Sequence, residues 1–496
     1  MAGIPDSIKA LKPQGFGALE LRSFVDGVYY VYQISSKWDP ERKKARKVTG
    51  KSIGKITLAD GFIPNTYGFR LIKEKEASSP SSPVKVLEYG AYEVLRQLSP
   101  SLEDKLREFF PKTFREIRTI ALLRLVDGAS AKLMKDLFLS SSLSDMSPDL
   151  SMSEQTVRQF ISALGQKTQE CEAFMKSFVM PGTTLLFDGT SIFTRSSDSL
   201  AQKGYNPLHR KATQARILYV FERESNRPVF YRVLQGSIVD KRAFVETVRS
   251  CGCTDCTVIA DKGFYSKPNL SHLIENGLKF ILPLQENTKN VDDCFYEDLD
   301  DHKFGGVFAY KGRTIWFHKK ASGEKGNWIY TFRDDERRQQ LQTRFVEKAE
   351  HDYGEKPQSP MDVLQNPRLG YYSFCSNLDV EPKEIFLAYK ERWDIEQCFD
   401  YLKNTVASSA SHAQSDDYFR GWVFLNHVSL LYFYGLINGL RRSGLAEDYC
   451  PEDIIKLVKN IYKVKFETEE SFKTSEITDK VQGILDRLGV DLLRKN

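Results

Sequence analysis

Two aspartates follow short apolar runs in this sequence, and a glycine follows each of them closely. Asp188 lies in LLFDGTSIF, and Asp261 lies in VIADKGFY. Apolar runs of this length, bounded by turn residues, predict buried strands. Carboxylates at the ends of two strands of one sheet can converge on one point, where their oxygens could bind a divalent cation. For Asp188 taken alone, an Asp-Gly turn is an equally good interpretation.

A third carboxylate, Glu396, lies on a long predicted helix that begins near Pro382, a good first-turn residue. At about 100° per residue, Glu396 shares an arc of about 60° with Tyr389, Arg392 and Lys403. The opposite side of the helix is apolar: Leu387, Ile395, Cys398 and Leu402. The pattern favours a helix that packs its apolar side on a sheet. An i,i+4 ion pair between Arg392 and Glu396 on a solvated face stays open as the alternative.

Three acids from two strand ends and one helix would suit Mg²⁺, which prefers oxygen ligands and keeps positions for water and substrate phosphates. Two such ions on either side of one phosphate support phosphoryl transfer. Basic and aromatic side chains on the same helix face would hold a nucleic-acid backbone beside the metals.

The three motifs together resemble those of the DDE transposases of bacterial and archaeal insertion sequences. DGT after a strand, DKGF after a strand and Tyr389-x2-Arg392-x3-Glu396-x6-Lys403 are similar, more narrowly, to the branch with the Y-R-E-K signature, the insertion-sequence four family. The resemblance covers residues 185 to 440, and YFRGWVFLNHVSLLYF is similar to the closing helix of that family.

The resemblance implies a function and a set of site residues. The family cuts DNA at element ends with metal-activated water and then uses the freed 3′-hydroxyl to attack target DNA. It implies Mg²⁺ or Mn²⁺, with two ions, double-stranded DNA (terminal inverted repeats and target) as partner, and a homodimer in the DNA complex. The implied catalytic and metal-binding residues are Asp188, Asp261 and Glu396. The implied contacts to end phosphates are Tyr389, Arg392 and Lys403.

Three other interpretations stay open. A DNA-binding protein derived from a transposase would no longer cut, but it would have no need to keep three costly clustered carboxylates. A Mg²⁺-dependent DNA nuclease would cleave without strand transfer. An ordinary α/β protein would have the three acids scattered over its surface.

The fold class predicted is α/β, and the resemblance implies an RNase H-like core, a mixed sheet flanked by helices, interrupted by a β-rich insertion. Three strands followed by helix, strand, helix and strand are predicted after Gly182. The Ser-Pro-rich stretch ending at Pro83 is a linker by composition. The predicted regions are 1–75, a small β-rich basic unit; 84–180, a helical, DNA-binding region; 181–286, the first part of the core; 287–366, the insertion; 367–440, the second part with the Glu helix; and 441–496, a helical segment without a functional assignment.

Within the helical region, Ser151 and Glu154 could form a capping box ahead of a helix with Val157, Ile161 and Leu164 on one face. The opposite face, which includes Arg158, is either a major-groove reader or the solvated side of a core helix. Both interpretations stay open.

Charge and composition fit a soluble DNA-associated protein without establishing one. The chain of 496 residues has a net charge of +5, and 28% of its residues are charged. Eight Lys/Arg against two acids lie between Ser36 and Ile56, a cluster that suits either phosphate contacts or a solvated loop.

Three further features bear on location and metals. The N-terminus has no secretory signal pattern, and eight cysteines without framework spacing suit a reducing cytoplasm, with the protein on the nucleoid when bound to DNA. Trp422 to Leu440 is apolar, but its polar residues favour a helix packed inside the protein, so no membrane is expected. The CGCTDC stretch lacks a nearby fourth zinc ligand, which favours buried thiols.

Overall fold

A computed structural model describes residues 4–13, 16–39, 44–71, 84–193, 199–203, 213–237, 240–284, 304–322, 326–351, 370–390, 413, 415–466 and 469–493. The chain divides into two compact units. The first comprises residues 1–85 and 465–471, and the second comprises 86–464 and 472–496.

The first unit is a small antiparallel sheet with its own core. After helix α1 (Asp6–Ala10), four strands pair in sequence order: β1 (Leu19–Val25), β2 (Val28–Asp39), β3 (Lys44–Thr57) and β4 (Gly61–Pro64). Ile8 of α1 and the inward strand residues form a separate apolar cluster: Ile8, Leu21, Val31, Ile53 and Ile56. Period-two alternation of apolar residues therefore does produce strands here.

The second unit is built on a ten-stranded mixed sheet. Its strands are β6 (Thr184–Phe193), β7 (Gln202–Lys203), β8 (Thr213–Glu222), β9 (Arg227–Gln235), β10 (Thr257–Ala260), β11 (Lys279–Pro283), β12 (Gly306–Tyr310), β13 (Arg313–Ala321), β14 (Trp328–Asp334) and β15 (Tyr371–Ser376). The spatial order is β12-β13-β14-β15-β11-β10-β6-β8-β7, and β9 also pairs with β8. Among the ladders described in this sheet, the two that β10 forms, with β6 on one side and β11 on the other, are parallel and the rest are antiparallel.

Helices before and after the sheet strands complete this unit. They are α2 (Gly90–Gln97), α3 (Pro100–Phe109), α4 (Phe114–Asp127), α5 (Met134–Ser140), α6 (Leu143–Met146), α7 (Glu154–Gln166), α8 (Thr168–Lys176), α9 (Asp240–Cys251), α10 (Lys267–Glu275), α11 (Asp335–His351), α12 (Pro382–Lys390), α13 (Asp416–Arg442), α14 (Pro451–Lys459) and α15 (Asp479–Leu488). A short sheet of β5 (Val84–Glu88), β16 (Tyr462–Phe466) and β17 (Lys473–Thr474) has the order β17-β16-β5. The predicted order of three strands, helix, strand, helix and strand is the order observed from 184 to 283, with the two-residue β7 added.

Helix α13 is the core helix of the second unit. It is long and apolar enough to cross a membrane, but 83% of its most apolar window is buried inside the structure. Two of its polar side chains have partners inside the protein: Asn426 accepts a hydrogen bond from Arg124 of α4 at 3.0 Å, and Ser429 donates to the Ala121 carbonyl at 2.8 Å. A lipid-facing helix would leave such groups without partners.

Helices α7 and α13 touch backbone to backbone through two glycines. A Cβ added at Gly165 would lie 1.8 Å from the Asp417 carbonyl oxygen, and one at Gly421 would lie 1.9 Å from the Ile161 carbonyl oxygen. Only glycine allows this approach, which buries the apolar face of α7 against α13.

The cap of α7 differs from the prediction. Ser153, and not Ser151, is the N-cap residue, and its Oγ accepts a hydrogen bond from the Thr156 amide at 3.2 Å. The helix begins at Glu154, so this acid occupies the first turn and cannot be the third residue of a capping box. Arg158, on the outer face, forms an ion pair with Glu154 at 2.9 Å.

The stretch predicted as a β-rich insertion contains more than strands. β12, β13 and β14 do form, but β14 pairs with β15, so these strands extend the main sheet. The 17-residue α11 follows, and Asp334 caps it by accepting a hydrogen bond from the Arg337 amide at 3.0 Å. This helix has few apolar residues, so the sequence shows no apolar periodicity that would predict it.

The CGCTDC thiols are packed as small buried groups. Cys251 and Cys256 are buried, all three are free thiols, and Cys251 donates to the Val248 carbonyl at 3.1 Å. Across the part of the chain that the structure describes, no group of three or more His, Cys, Asp or Glu side chains could hold a metal ion.

Candidate active site

Asp188 lies where β6 loses one of its two neighbours. On one side β6 stays paired with β8 from Leu185 to Phe193, with Asp188 opposite Tyr219. On the other side the parallel pairing with β10 ends at Phe187, opposite Ala260. The predicted strand is confirmed, but Asp188 lies within it and not at its end, and the alternative of an Asp-Gly turn is wrong, because pairing with β8 continues through the dipeptide. The carboxylate lies at a local opening in the sheet, and its Oδ1 accepts a hydrogen bond from the Gly189 amide at 2.8 Å.

Asp261 occupies the matching position on β10. It follows Ala260, keeps an extended backbone (φ −75°, ψ 163°) and precedes a single 3₁₀ turn from Lys262 to Phe264. Because Phe187 and Ala260 are the last paired residues of the β6–β10 ladder, Asp188 and Asp261 are the next residues on two adjacent parallel segments. The two aspartates that the sequence singled out thus follow the same paired position of two neighbouring strands. Both are partly buried.

Three phenylalanines fix the segments that carry the two acids. Phe187 directly precedes Asp188, and Phe264 closes the turn after Asp261. The ring of Phe244, from α9, lies 5.3 Å from Phe187 and 5.4 Å from Phe264. All three side chains are buried, so one aromatic group joins both acid-bearing segments.

A buried amide holds the turn after Asp261. Asn269 of α10 donates from Nδ2 to the Phe264 carbonyl at 2.7 Å, and Ser266 caps the same helix by accepting from the Asn269 amide at 3.3 Å. The Phe264 amide in turn donates to the Asp261 carbonyl at 2.9 Å. The backbone that presents Asp261 is therefore hydrogen-bonded on both sides.

Tyr389 brings helix α12 to this site. Its hydroxyl donates a long hydrogen bond of 3.5 Å to Oδ1 of Asp261, and its ring lies 4.6 Å from that of Phe374 on β15. The helix begins at Pro382, as predicted, and buries Ile385 and Phe386. Glu396, Arg392 and Lys403 lie outside the described residues.

The arrangement suits a cation more than an anion. Two carboxylates at one opening of the sheet supply hard oxygen donors, which Mg²⁺ and Mn²⁺ prefer. Both acids remain accessible in part, so a ligand can reach them. A tyrosine hydroxyl beside Asp261 adds a hydrogen-bond donor next to the acids.

The family profile described as "Transposase DDE domain" matches residues 180–431, just over half of the chain. The chain belongs to this family. The matched range contains Asp188, Asp261 and Tyr389, together with every strand of the main sheet. The mixed α/β architecture is consistent with a core of the DDE transposase type.

Among solved structures, the DDE transposase chain is similar to the cryo-EM structure of a piggyBac transposase synaptic complex with hairpin DNA. The identity is 10%, the match covers 75% of this chain and 79% of that one, and the TM-score is 0.40. No curated protein matches the sequence significantly.

Sequence reasoning missed the residues of the transposase domain that position the acids. Phe244 belongs to an apolar helix face and looks like any core residue, and Asn269 looks like an ordinary helix residue. The one available signal was Ser266 before Lys267-Pro268, which marks a helix start and so places Asn269 in the first turn.

Proposed function

We propose that this chain is a metal-dependent DNA transposase of the Y-R-E-K branch, the insertion-sequence four family, which cuts DNA at element ends and joins them to target DNA. The observation that carries the proposal is the register of β6 and β10, which puts Asp188 next to Asp261 inside a domain of the transposase DDE family. The order of strands and helices around the two acids supports an RNase H-like core, and the strands from 306 to 334 are candidates for its insertion.

In this proposal Asp188, Asp261 and Glu396 form the catalytic set. The first two present carboxylate oxygens from adjacent segments, and the helix that begins at Pro382 leads toward Glu396. Tyr389 touches Asp261, so a side chain assigned to DNA contact already lies beside an assigned metal ligand. Arg392 and Lys403 would bind phosphates of the element end on the same helix.

The proposed cofactor is Mg²⁺ or Mn²⁺, as two ions. When bound, such ions supply Lewis-acid stabilisation for the attacking and leaving oxygens of a phosphodiester. Asp188 and Asp261 would bind the ions from the sheet, and the Tyr389 hydroxyl would orient Asp261. The three phenylalanines, Phe187, Phe244 and Phe264, would hold the two backbone segments that carry the aspartates. The proposed partners are double-stranded DNA, at terminal repeats and at the target, and a second copy of the chain in the DNA complex. A cytoplasmic location, on the nucleoid, completes the proposal.

The decisive experiment uses the DNA that flanks the gene, incubated with the full chain and Mg²⁺ or Mn²⁺. We expect nicks at repeat boundaries, followed by strand transfer to a target plasmid. Asp188→Ala and Glu396→Ala should abolish cleavage and leave end binding intact, and removal of the metal with a chelator should do the same. Full cleavage by either variant would refute the assignment of the acids.

Two outcomes would replace the proposal with one of its competitors. Specific end binding without cleavage under all metal conditions would indicate a transposase-derived DNA-binding protein. Cleavage without any strand transfer would indicate a nuclease. A separate salt titration tests the two basic residues. Arg392→Gln or Lys403→Gln should each lower the slope of log K against log salt for end binding by about 0.9, the contribution of one phosphate contact.

A further inference from the structure

The first unit carries a two-stranded ribbon that extends past its own core. β1 pairs with β2 only up to Gln33, and β4 pairs with β3 only from Gly54 onward. Beyond Ile34 and Thr49, the strands pair only with each other in the described ladders. The five residue pairs from Ser35↔Val48 to Asp39↔Lys44 extend about 16 Å. We call residues 35–39 and 44–48 the distal ribbon.

The distal ribbon is exposed on both faces. None of its ten residues is buried, and eight of them are exposed. A two-stranded ribbon without a packed face is marginally stable in water. Such a segment gains stability when a partner covers it.

One face of the distal ribbon places like charges opposite each other. Lys37 pairs directly with Arg46, and two positions further Asp39 pairs with Lys44. Like charges directly opposite on a sheet face destabilise it. The side chains of Lys37, Lys44 and Arg46 make no hydrogen bond or ion pair with any residue in the described ranges. A polyanion would relieve the repulsion.

The other face presents a tryptophan. Trp38 is 62% exposed and lies opposite Ala45, whose methyl group covers little of the ring. Next to it Lys47 lies opposite Ser36, and Lys47 forms an ion pair with Glu20 at 2.8 Å. The major groove of B-DNA is wide enough to admit a two-stranded ribbon. A ribbon in that groove would place the exposed Trp38 ring against sugars and base edges, with Lys47 beside it.

We propose that the distal ribbon is a DNA-binding surface separate from the acid site, with Lys37, Lys44 and Arg46 on phosphates of duplex DNA and Trp38 in a groove. The inference rests on the proposed function only in naming DNA as the partner. Four cations against one anion on the distal ribbon match a duplex backbone, and an apolar protein surface would not compensate them. Phosphate contacts predict binding that does not depend on sequence.

The test measures affinity of the full chain for a labelled duplex of unrelated sequence, over a range of salt concentrations, by fluorescence anisotropy. In Lys37→Gln/Lys44→Gln/Arg46→Gln the slope of log K against log salt should fall by about two to three, at about 0.9 per phosphate. At about 0.1 M salt the affinity should fall on the order of 10²-fold. The matched control removes equal charge from exposed lysines near the C-terminus, Lys456→Gln/Lys473→Gln/Lys480→Gln, and should change the slope by less than one.

A second variant tests the aromatic contact. Trp38→Ala removes the apolar area that the ring buries in the groove, so it should weaken binding about tenfold and leave the salt slope unchanged, whereas Trp38→Phe should bind almost as well as the wild type. Equal slopes for the ribbon and control triple variants would overturn the proposal. So would a ribbon variant that binds DNA normally but alters the sedimentation of the DNA-free chain, because that result would assign the ribbon to self-association.

The two proposals fail separately. If the wild-type chain cuts element ends while the ribbon variant keeps its salt slope, the ribbon inference is wrong and the transposase proposal stands. If the ribbon variant loses phosphate contacts while no condition yields cleavage, the ribbon inference stands and the catalytic proposal is wrong.

Discussion

Tyr389 and Asp261 lie 128 positions apart in the chain, yet the tyrosine hydroxyl donates to the aspartate at 3.5 Å. The contact joins the last turn of α12 to the residue that follows the central parallel strand β10. It also lies one strand away from Asp188. Tyr389 therefore contacts the acid site directly, which makes its hydroxyl a target for mutation.

Removal of the Tyr389 hydroxyl should slow cleavage moderately. In Tyr389→Phe the ring keeps its packing on Phe374 while Asp261 loses one donor, a loss of about 0.5–1.5 kcal/mol, or about two- to thirteenfold in rate. Single-turnover nicking on pre-bound ends measures it. Tyr310→Phe, whose ring packs on Phe386 of the same helix at 5.2 Å, is the control and should leave the rate unchanged. A rate in Tyr389→Phe equal to wild type would mean that the contact has no catalytic role.

Asp188 and Asp261 should behave as one functional group. Either Asp→Asn change should lower the cleavage rate by at least about 10³-fold. The double variant should cleave about as fast as the less active single variant, because the effects of residues that act as a unit do not add. Asp255→Asn, which removes an exposed carboxylate just before β10, is the matched control. Independent, additive losses in the double variant would contradict a shared site.

The aromatic group behind the acids should be the stability centre of the site. Phe244→Ala removes a fully buried ring between Phe187 and Phe264, and we expect a loss of about 3–5 kcal/mol in the free energy of unfolding. Urea denaturation measures it. Leu139→Ala, at a position that is 54% exposed, should change stability by no more than about 0.5 kcal/mol. A similar small effect for Phe244→Ala would rule out the aromatic group as a structural support.

The glycine contact between α7 and α13 should not tolerate a methyl group. In Gly421→Ala the new Cβ would lie 1.9 Å from the Ile161 carbonyl oxygen, so the helices must separate, at a cost of about 2–4 kcal/mol. Gly483→Ala in α15 is the matched control, since nothing lies within 4 Å of the added Cβ. That change should stabilise the protein by about 0.5–1 kcal/mol. Thermal unfolding of both variants distinguishes crowding from helix propensity, and destabilisation of equal size in both would count against the contact.

Stability should fall as the pH falls below 6.5 because of His427. Burial lowers the pKa of His427 from its usual 6.5 to about 3. Between these values the unfolded chain binds a proton that the folded chain does not, so stability decreases by about 1.4 kcal/mol per pH unit, or about 2 kcal/mol from pH 6.5 to 5. Urea midpoints at several pH values measure the slope. His427→Phe, which suits the neighbouring Tyr219 and Tyr231 rings, should remove that part of the slope. An unchanged slope would exclude His427 as its source.

The sequence predicted the order of elements from 184 to 283 because apolar runs bounded by turn residues are local signals. It also predicted that Asp188 and Asp261 would follow strands of one sheet, and those strands, β6 and β10, are neighbours. It did not predict that β8 would be the partner of β6 beyond Asp188, because that partner is chosen by long-range pairing. The same limit explains why β14 joins β15, which no local pattern encodes.

Other differences were within reach of local rules. Ser153 competes with Ser151 for the same cap, and only the backbone conformation, extended at Ser153, decides between them. For α11, Asp334, Asp335 and Glu336 formed a helix-start signal that the low apolar content of the segment concealed. Glu396, Arg392 and Lys403 stay predictions.

The continuity of the main sheet limits how this protein can be shortened. Because β14 is hydrogen-bonded along the length of β15, deletion of residues 306–334 would leave Tyr371–Ser376 as a bare edge strand with unsatisfied amides and the apolar Phe374 and Cys375 uncovered on it. Exposed edges of that kind recruit strands from other molecules. A truncated chain should therefore aggregate, and loss of its activity would say nothing about the chemistry of the removed strands.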